Sequence, residues 1–183
     1  GCDKNGYVMD VTVNSGNVHD SVAFDGLYER LIEKNPEIEA VVMDAGYKTP
    51  WISKRVLDDK RIPVLPYKRP MGKQDFFKPY EYVYDKYYDC VICPENHVLN
   101  YATTNREGYR EFKSKTYICK KCPSRYKCTE NSKYEKTVTK HIWSDYLEKV
   151  EDIRHTPIYK EMYERRKETI ERVFADAKEK HAM

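Results

Sequence analysis

The chain has 183 residues and a net charge of +3, from 33 Lys and Arg against 30 Asp and Glu, a length that suits one domain with an insertion. So small an excess excludes a uniformly basic protein, and a nucleic-acid interface therefore requires clustered basic residues. The longest apolar runs, such as residues 40–43, fall far short of the roughly 20 residues that cross a bilayer. Residue 1 is Gly, with neither an initiator Met nor a targeting segment after it, so we expect a piece of a longer protein.

Strand and helix patterns alternate over residues 1–67. The predicted strands are residues 7–13, 38–43 and 62–66, and the predicted helices run from Asp20 or Ser21 to the residue before Pro36 and from Thr49 to about Asp59. This order predicts an α/β sheet with helices packed on its faces. Ligands of such sheets collect at the C-terminal ends of strands.

Composition changes from Lys68, and periodicity is lost until about Thr137. We therefore divide the chain into the first part of a core (1–67), a cysteine-rich basic insertion (68–140) and the second part of the core (141–183). The last part is expected to form one long helix from Thr156 to about Lys180, because Thr-Pro is a typical helix start.

Two carboxylates stand where a divalent cation could be held. Asp44 follows an apolar run and precedes Gly46 by two residues, so its carboxyl group is expected where a strand leaves the sheet. Glu171 shares one face of the final helix with Lys167 and Lys178. Carboxylate oxygens and water are the ligands that Mg²⁺ prefers. The simpler interpretation is a turn aspartate and a solvated helix face.

Two segments carry a family resemblance. Residues 42–47 (Val-Met-Asp-Ala-Gly-Tyr) resemble the second-aspartate segment of DDE transposases of the insertion-sequence 4 superfamily, and residues 170–178 resemble their glutamate helix. The six residues between Glu171 and Lys178 match that family's E-(6)-K signature, and residues 17–21 resemble the segment before its first crossover helix. The cysteine-containing insertion is most similar to that of the insertion-sequence 1182 group.

The resemblance implies the C-terminal catalytic portion of a ribonuclease H-like fold, a mixed sheet with flanking helices interrupted by a cysteine-rich insertion. Asp44 would be the second and Glu171 the third metal-binding acid, with Mg²⁺ or Mn²⁺ as cofactor and Lys178 near the cleaved phosphate. In the family, the first catalytic Asp lies on a strand upstream of the segment that aligns with residues 7–13. This chain therefore has no equivalent of that Asp. Asp10 would lie on a different strand. We therefore expect the first strand or strands to be missing and the fragment to be inactive alone.

The helix departs from the family's Y-(2)-R-(3)-E pattern. Glu164 and Lys167 occupy the Tyr and Arg positions, and Tyr163 and Arg166 are each displaced by one residue. On a continuous helix this displacement is a rotation of about 100°, so these neighbours are not automatic substitutes, although Lys167 keeps the positive charge.

Five of the six cysteines lie between residues 90 and 128, in Cys-x-x-Cys spacings. Paired knuckles of this kind can supply four thiolates to a structural Zn²⁺ ion in a reducing compartment. The symmetry of the two Cys-x-x-Cys pairs favours Cys90 over Cys128 as the fourth ligand. The family resemblance favours the set Cys93, Cys119, Cys122 and Cys128. An iron–sulfur cluster uses similar ligands, unligated thiols are the simpler alternative, and His97 is near enough in sequence to compete.

Basic and aromatic residues alternate around these cysteines. Residues 105–140 hold eleven Lys or Arg and four Glu, a net charge of +7. The basic residues near the cysteines are Lys120, Lys121, Arg125, Lys127, Lys133, Lys136 and Lys140, and the tyrosines are Tyr117, Tyr126 and Tyr134. This composition suits a phosphate backbone with partly exposed bases, so we expect a grip on transposon-end DNA. An ordinary solvated surface is the alternative.

The implied function is metal-dependent strand cleavage and transfer on transposon-end and target DNA. Such a protein would work in the bacterial cytoplasm, at the nucleoid, as a homodimer in the synaptic complex. Two other functions share the same residues: a non-catalytic zinc-binding nucleic-acid-binding module, and a nuclease of the same fold without strand transfer.

Overall fold

The computed structural model describes residues 1–69 and 71–181, except the side chain of His181. In chain order the elements are α1 (Asp20–Lys34), β1 (Ala40–Val42), α2 (Pro50–Asp58), β2 (Ile62–Val64), β3 (Val83–Asp85), β4 (Cys90–Ile92), β5 (Val98–Thr104), β6 (Tyr109–Lys113), α3 (Thr116–Lys120), β7 (Thr137–His141), α4 (Ser144–Arg154), α5 (Pro157–Arg165) and α6 (Ile170–His181). They form two compact units: unit 1 joins Gly1–Lys68 to Trp143–Met183, and unit 2 is Arg69–Ile142. Within the described ranges, no helix has the length and apolar character needed to cross a membrane.

Unit 1 contains a parallel pair of short strands, β1 and β2, with α2 as the connection between them. The Ile62 N–H donates to the Glu39 carbonyl at 2.8 Å, and the Met43 N–H donates to the Val64 carbonyl at 3.0 Å. Because successive residues of a strand point their backbone groups to opposite edges, Pro63 faces away from β1. A proline there costs no hydrogen bond within the pair.

One cluster of buried apolar side chains holds unit 1 together. Its members are Phe24, Tyr28, Met43, Ile52, Val56, Leu65 and Val150. Helix α4 contacts both α2 and β2, and α5 contacts α4 and β2. Val150 on α4 is 1% exposed, so a residue from the second chain segment completes the core of the first.

The helix starts follow local capping chemistry. Thr49 Oγ1 accepts a hydrogen bond from the Ile52 N–H at 3.2 Å, and Pro50 is the first helical residue of α2, as the Thr-Pro sequence predicts. Helix α1 is capped one residue earlier than expected, by His19, whose Nδ1 accepts from the Ser21 N–H at 3.2 Å.

The predicted strand over residues 7–13 is wrong. The segment is extended, but its strand pairing is limited to an isolated bridge between Cys2 and Val8. A strand needs a partner for its backbone groups, and no described strand lies beside this segment. Asp10 instead holds it to α1 through ion pairs with Arg30 at 3.1 Å and Lys34 at 3.2 Å. The observed order over residues 1–67 is therefore α, β, α, β.

Unit 2 is built on an antiparallel sheet whose five strands, β3 to β7, are paired in sequence order. Its core is small, with Val91, Leu99 and Phe112 buried. In β6, Phe112 alone is buried among five residues, so the strand lacks the apolar run that predicts a strand from sequence. The β5–β6 turn uses Gly108 at φ +82°, where an added Cβ would lie 3.0 Å from His141 Nε2.

The core of unit 1 can be tested with two isoleucines. Ile52 is fully buried and Ile158 is half exposed, so Ile52→Ala should lower the free energy of unfolding by about 2–5 kcal/mol through the cavity left behind, and Ile158→Ala by no more than about 0.5 kcal/mol. Urea unfolding followed by tryptophan fluorescence reads unit 1, because both tryptophans, Trp51 and Trp143, lie in it. Equal losses from the two substitutions would contradict this core.

The Asp10 anchor predicts a pH dependence. Hydrogen bonds from Arg30, with a second set from Lys34, lower the pKa of Asp10 to about 2, against about 3.9 in an unfolded chain. Its stabilising effect is therefore complete above about pH 4 and is lost as the pH falls toward 2. We expect Asp10→Asn to melt below the unchanged chain at pH 7, with the difference vanishing near pH 2 in circular-dichroism melts. A difference that stays constant across this range would refute the anchor.

Candidate functional site

Asp44 ends the strand segment of β1 and begins a short 3₁₀ turn, Ala45–Tyr47. Its Oδ1 accepts a hydrogen bond from the Gly46 N–H at 2.8 Å. An added Cβ at Gly46 would lie 3.1 Å from the same oxygen, so this position favours glycine. Asp44 is partly exposed. Within residues 1–69 and 71–181, its Oδ2 has no hydrogen-bond donor, so this oxygen can bind a ligand.

The loop after Asp44 is held to helix α4 by a buried ion pair. The Lys48 ammonium, whose side chain is 9% exposed, pairs with Glu151 and donates to the Pro66 carbonyl at 3.2 Å. Arg154 adds a second pair to Glu151 at 2.9 Å. Burial raises the pKa of the Glu151 carboxyl, but the hydrogen bonds from Lys48 and Arg154 outweigh burial, so its pKa is lowered. The sequence pattern did not single out Lys48, because its partner lies 103 residues away.

Glu171 lies in the first turn of α6 with its side chain half exposed. Its Oε1 is 3.6 Å from the Arg166 guanidinium. Arg166 is also stacked on the ring of Tyr163, 5.8 Å from the centroid, and hydrogen-bonds the Tyr163 hydroxyl at 3.4 Å. The structure therefore brings Tyr163, Arg166 and Glu171 into one contact chain.

The prediction of one long final helix is wrong, and the error explains this contact chain. Helix α5 ends at Arg165 and α6 starts at Ile170. Between them the backbone makes tighter three-residue turns, and the Thr169 hydroxyl donates to the Arg165 carbonyl at 3.0 Å. Threonine hydroxyls compete in this way with regular helical bonding. The expected 100° rotation of Arg166 assumed a continuous helix, and the break removes that assumption.

The two lysines proposed to contact DNA are accessible. Lys167 lies in the turn between the helices and Lys178 lies on α6, and both side chains are exposed. α6 has no fully buried residue within its described side chains, and Phe174 is 53% exposed. The apolar side chains of α6 are therefore only partly buried.

The described part of the chain contains no assembled metal centre with three or more protein ligands. Within residues 1–69 and 71–181, no three His, Cys, Asp or Glu side chains are grouped so that they could hold a metal ion. Asp44 and Glu171 both belong to unit 1. They can supply oxygen ligands, which is the donor type that Mg²⁺ requires.

Cys128 in unit 2 lies near two other cysteines, Cys119 and Cys93. Burial raises the pKa of the Cys128 thiol, and the nearby Cys119 and Cys93 raise it further, while the Tyr82 hydroxyl and Lys136 act in the opposite direction. The Tyr82 hydroxyl lies 3.2 Å from Cys128 Sγ, and burial together with this contact raises the pKa of Tyr82. These thiols have the right chemistry for Zn²⁺, but they do not converge on one point.

Cys90 and Cys93 point to opposite faces of the sheet, because side chains alternate along a strand. Cys93 packs against the Val91, Leu99 and Phe112 cluster. Cys90 is buried at 7% exposure, and burial raises the pKa of its thiol, with Asp85 and Asp89 as its charged neighbours.

Basic side chains in unit 2 stack on tyrosine rings. Arg125 and Lys120 lie 4.8 Å and 5.9 Å from the Tyr134 centroid, and Lys127 lies 5.5 Å from that of Tyr126. Tyr126 is 69% exposed. Stacking holds these cations in fixed positions at the surface, where they can contact phosphates.

The C-terminal half of the chain matches a known family. The family described as the transposase DDE domain matches residues 92–183, a stretch that contains Glu171 and the four cysteines from Cys93 to Cys128 and that begins after Asp44. No curated protein and no solved structure matches the chain. DDE domains are transposition enzymes that act on DNA and generally use a divalent metal such as Mg²⁺. The chain belongs to the transposase DDE domain family.

Proposed function

We propose that the chain is the C-terminal catalytic portion of a bacterial transposase of the insertion-sequence 4 superfamily, similar to the insertion-sequence 1182 group, with a ribonuclease H-like core. Its parent cuts and rejoins DNA at insertion-sequence ends. The observation that carries this proposal is the contact chain of Tyr163, Arg166 and Glu171 at the start of α6, within the stretch that matches the family.

Asp44 and Glu171 would hold the divalent cation. Asp44 offers the oxygen that the Gly46 N–H does not occupy. Glu171 is half exposed, and Arg166 contacts one of its two oxygens. When bound, Mg²⁺ or Mn²⁺ activates an attacking oxygen and stabilises the charge on the leaving oxygen of a phosphodiester.

The remaining side chains act on the DNA and on the acids. The Lys48–Glu151 pair holds the Asp44 loop against α4, which limits the movement of the carboxylate. Arg166 orients the Glu171 carboxylate from one side. The exposed ammonium groups of Lys167 and Lys178 offer positive charge to backbone phosphates.

Unit 2 supplies a second DNA contact in this proposal. We assign residues 68–140 as a cysteine-rich insertion into the core, with Lys120, Lys121, Arg125 and Lys127 contacting transposon ends. Zn²⁺ would be held by the set Cys93, Cys119, Cys122 and Cys128, whose sulfur donors fit this ion. Zn²⁺ binding requires these side chains to turn toward one point. The free energy of Zn²⁺ binding would then also stabilise the folded state of unit 2.

The two-acid site predicts weak metal binding. Because the first Asp is absent, we expect Mn²⁺ to bind weakly in electron paramagnetic resonance titrations. Asp44→Asn or Glu171→Gln should weaken binding by at least about tenfold, since even the loss of a group that only orients a ligand weakens metal affinity by about 10- to 100-fold. Glu179→Gln, at an exposed position of the same helix, serves as the matched control. In Mg²⁺ or Mn²⁺ the chain should not nick an insertion-sequence end. Robust nicking that Asp44→Ala abolishes would show that the missing acid is not required.

The zinc assignment predicts which cysteines matter. The purified chain should contain about one zinc per molecule, measured by elemental analysis, as for a closed four-thiolate site. Cys119→Ser, Cys122→Ser and Cys128→Ser should each lose zinc and lower the melting temperature of unit 2. Cys90→Ser should retain it, because Cys90 points to the other face of the sheet. Zinc loss in Cys90→Ser with retention in Cys128→Ser would favour the symmetric ligand set instead.

A further inference from the structure

A polar cleft in unit 1 is not part of the site described above. It has a volume of about 620 Å³ and is lined by Lys4, Asn5, Arg165, Glu168, Thr169 and Arg172. Three of these side chains are cations and one is an anion, so the cleft carries an excess of positive charge. Such a lining excludes an apolar ligand and favours a phosphate group.

The first wall of the cleft is a tight turn near the start of the chain. The Asp3 carboxylate accepts hydrogen bonds from the Asn5 N–H at 2.9 Å and from the Tyr7 N–H at 2.8 Å. Gly6 adopts φ +86°, a conformation that L side chains rarely adopt. This turn fixes Lys4 and Asn5 at its exposed tip, and the thiol of Cys2 interacts with Thr169 on the opposite wall.

The second wall is the break between α5 and α6. Arg165 ends α5, where Glu161 pairs with its guanidinium at 2.8 Å. Lys4 and Arg172 are exposed, and in the described part of the chain neither has an ion-pair or hydrogen-bond partner. Because no ion-pair partner offsets their charge, these two cations give the cleft a positive potential that attracts an anion.

Two residues that line the cleft flank the proposed catalytic glutamate in sequence, although Glu171 itself does not line it. Arg172 is the residue after Glu171 on α6, and Thr169 is two residues before it. The break between α5 and α6 therefore contributes residues both to the cleft and to the contacts of Glu171.

We propose that this cleft binds a backbone phosphate of DNA through Lys4, Arg165 and Arg172. The inference rests on the proposed transposase function and adds a subsite to it. The cleft sets the position of the strand, and Glu168 limits its affinity by repelling the phosphate.

Fluorescence anisotropy with a labelled DNA duplex over a range of salt concentrations tests the cleft. The salt slope should fall by about 0.9 for each phosphate that the protein no longer neutralises. The triple variant K4A/R165A/R172A loses one phosphate contact, so it should bind more weakly and with a slope about 0.9 smaller. Lys160→Ala removes an exposed cation on α5 outside the cleft and should leave both the affinity and the salt slope unchanged. Glu168→Gln should tighten binding, and Glu179→Gln, outside the cleft on α6, should not.

The outcomes separate the two proposals. If the unchanged chain does not bind duplex DNA at low salt, the proposed function and the cleft both fail. If it binds and the triple variant keeps its affinity and slope, with melting curves showing that it is folded, the cleft alone fails. Inorganic phosphate at constant ionic strength should compete with the DNA phosphate and reduce the difference between the unchanged chain and the triple variant. A difference that saturating phosphate leaves unchanged would overturn phosphate recognition by the cleft.

Discussion

Unit 1 folds only when two segments that are distant in sequence pack together. Val150 fills the core beside α2 and β2, and the buried Lys48 ammonium finds its countercharge on Glu151, one residue later along α4. An ammonium removed from water without a partner is strongly unfavourable, so the loop that starts at Asp44 is stable only when α4 is in place. The position of the first candidate acid therefore depends on residues that follow the whole of unit 2 in sequence.

Much of unit 1 was predictable from short-range chemistry. The Thr49-Pro50 start of α2, the end of α1 before Pro36, and the strands β1 and β2 follow from capping and apolar patterns that involve only near neighbours. Asp44 at the end of β1 followed from the same patterns. These features succeed because the interactions that specify them span a few residues.

The failures involve interactions that a local pattern does not contain. Residues 7–13 have the composition of a strand but no strand partner in the described structure, and Asp10 ties them to α1 instead. The sheet of unit 2 buries little apolar surface, so its strands lack an apolar pattern. At the candidate site, the Thr169 hydroxyl accompanies the helix break that places Arg166 against Glu171, and this changes which neighbour can replace the family's arginine.

Pro63 makes the two outer edges of the parallel pair in unit 1 different in their capacity to donate hydrogen bonds. Its neighbours in β2 bond to β1, while its own nitrogen, which carries no hydrogen, faces the opposite edge. A strand approaching that edge would find a missing donor at the centre, whereas β1 presents intact amides at Ala40 and Val42 on its outer side. The two edges of the pair are therefore unequal, because the β1 edge keeps its backbone donors and the β2 edge lacks one at its centre.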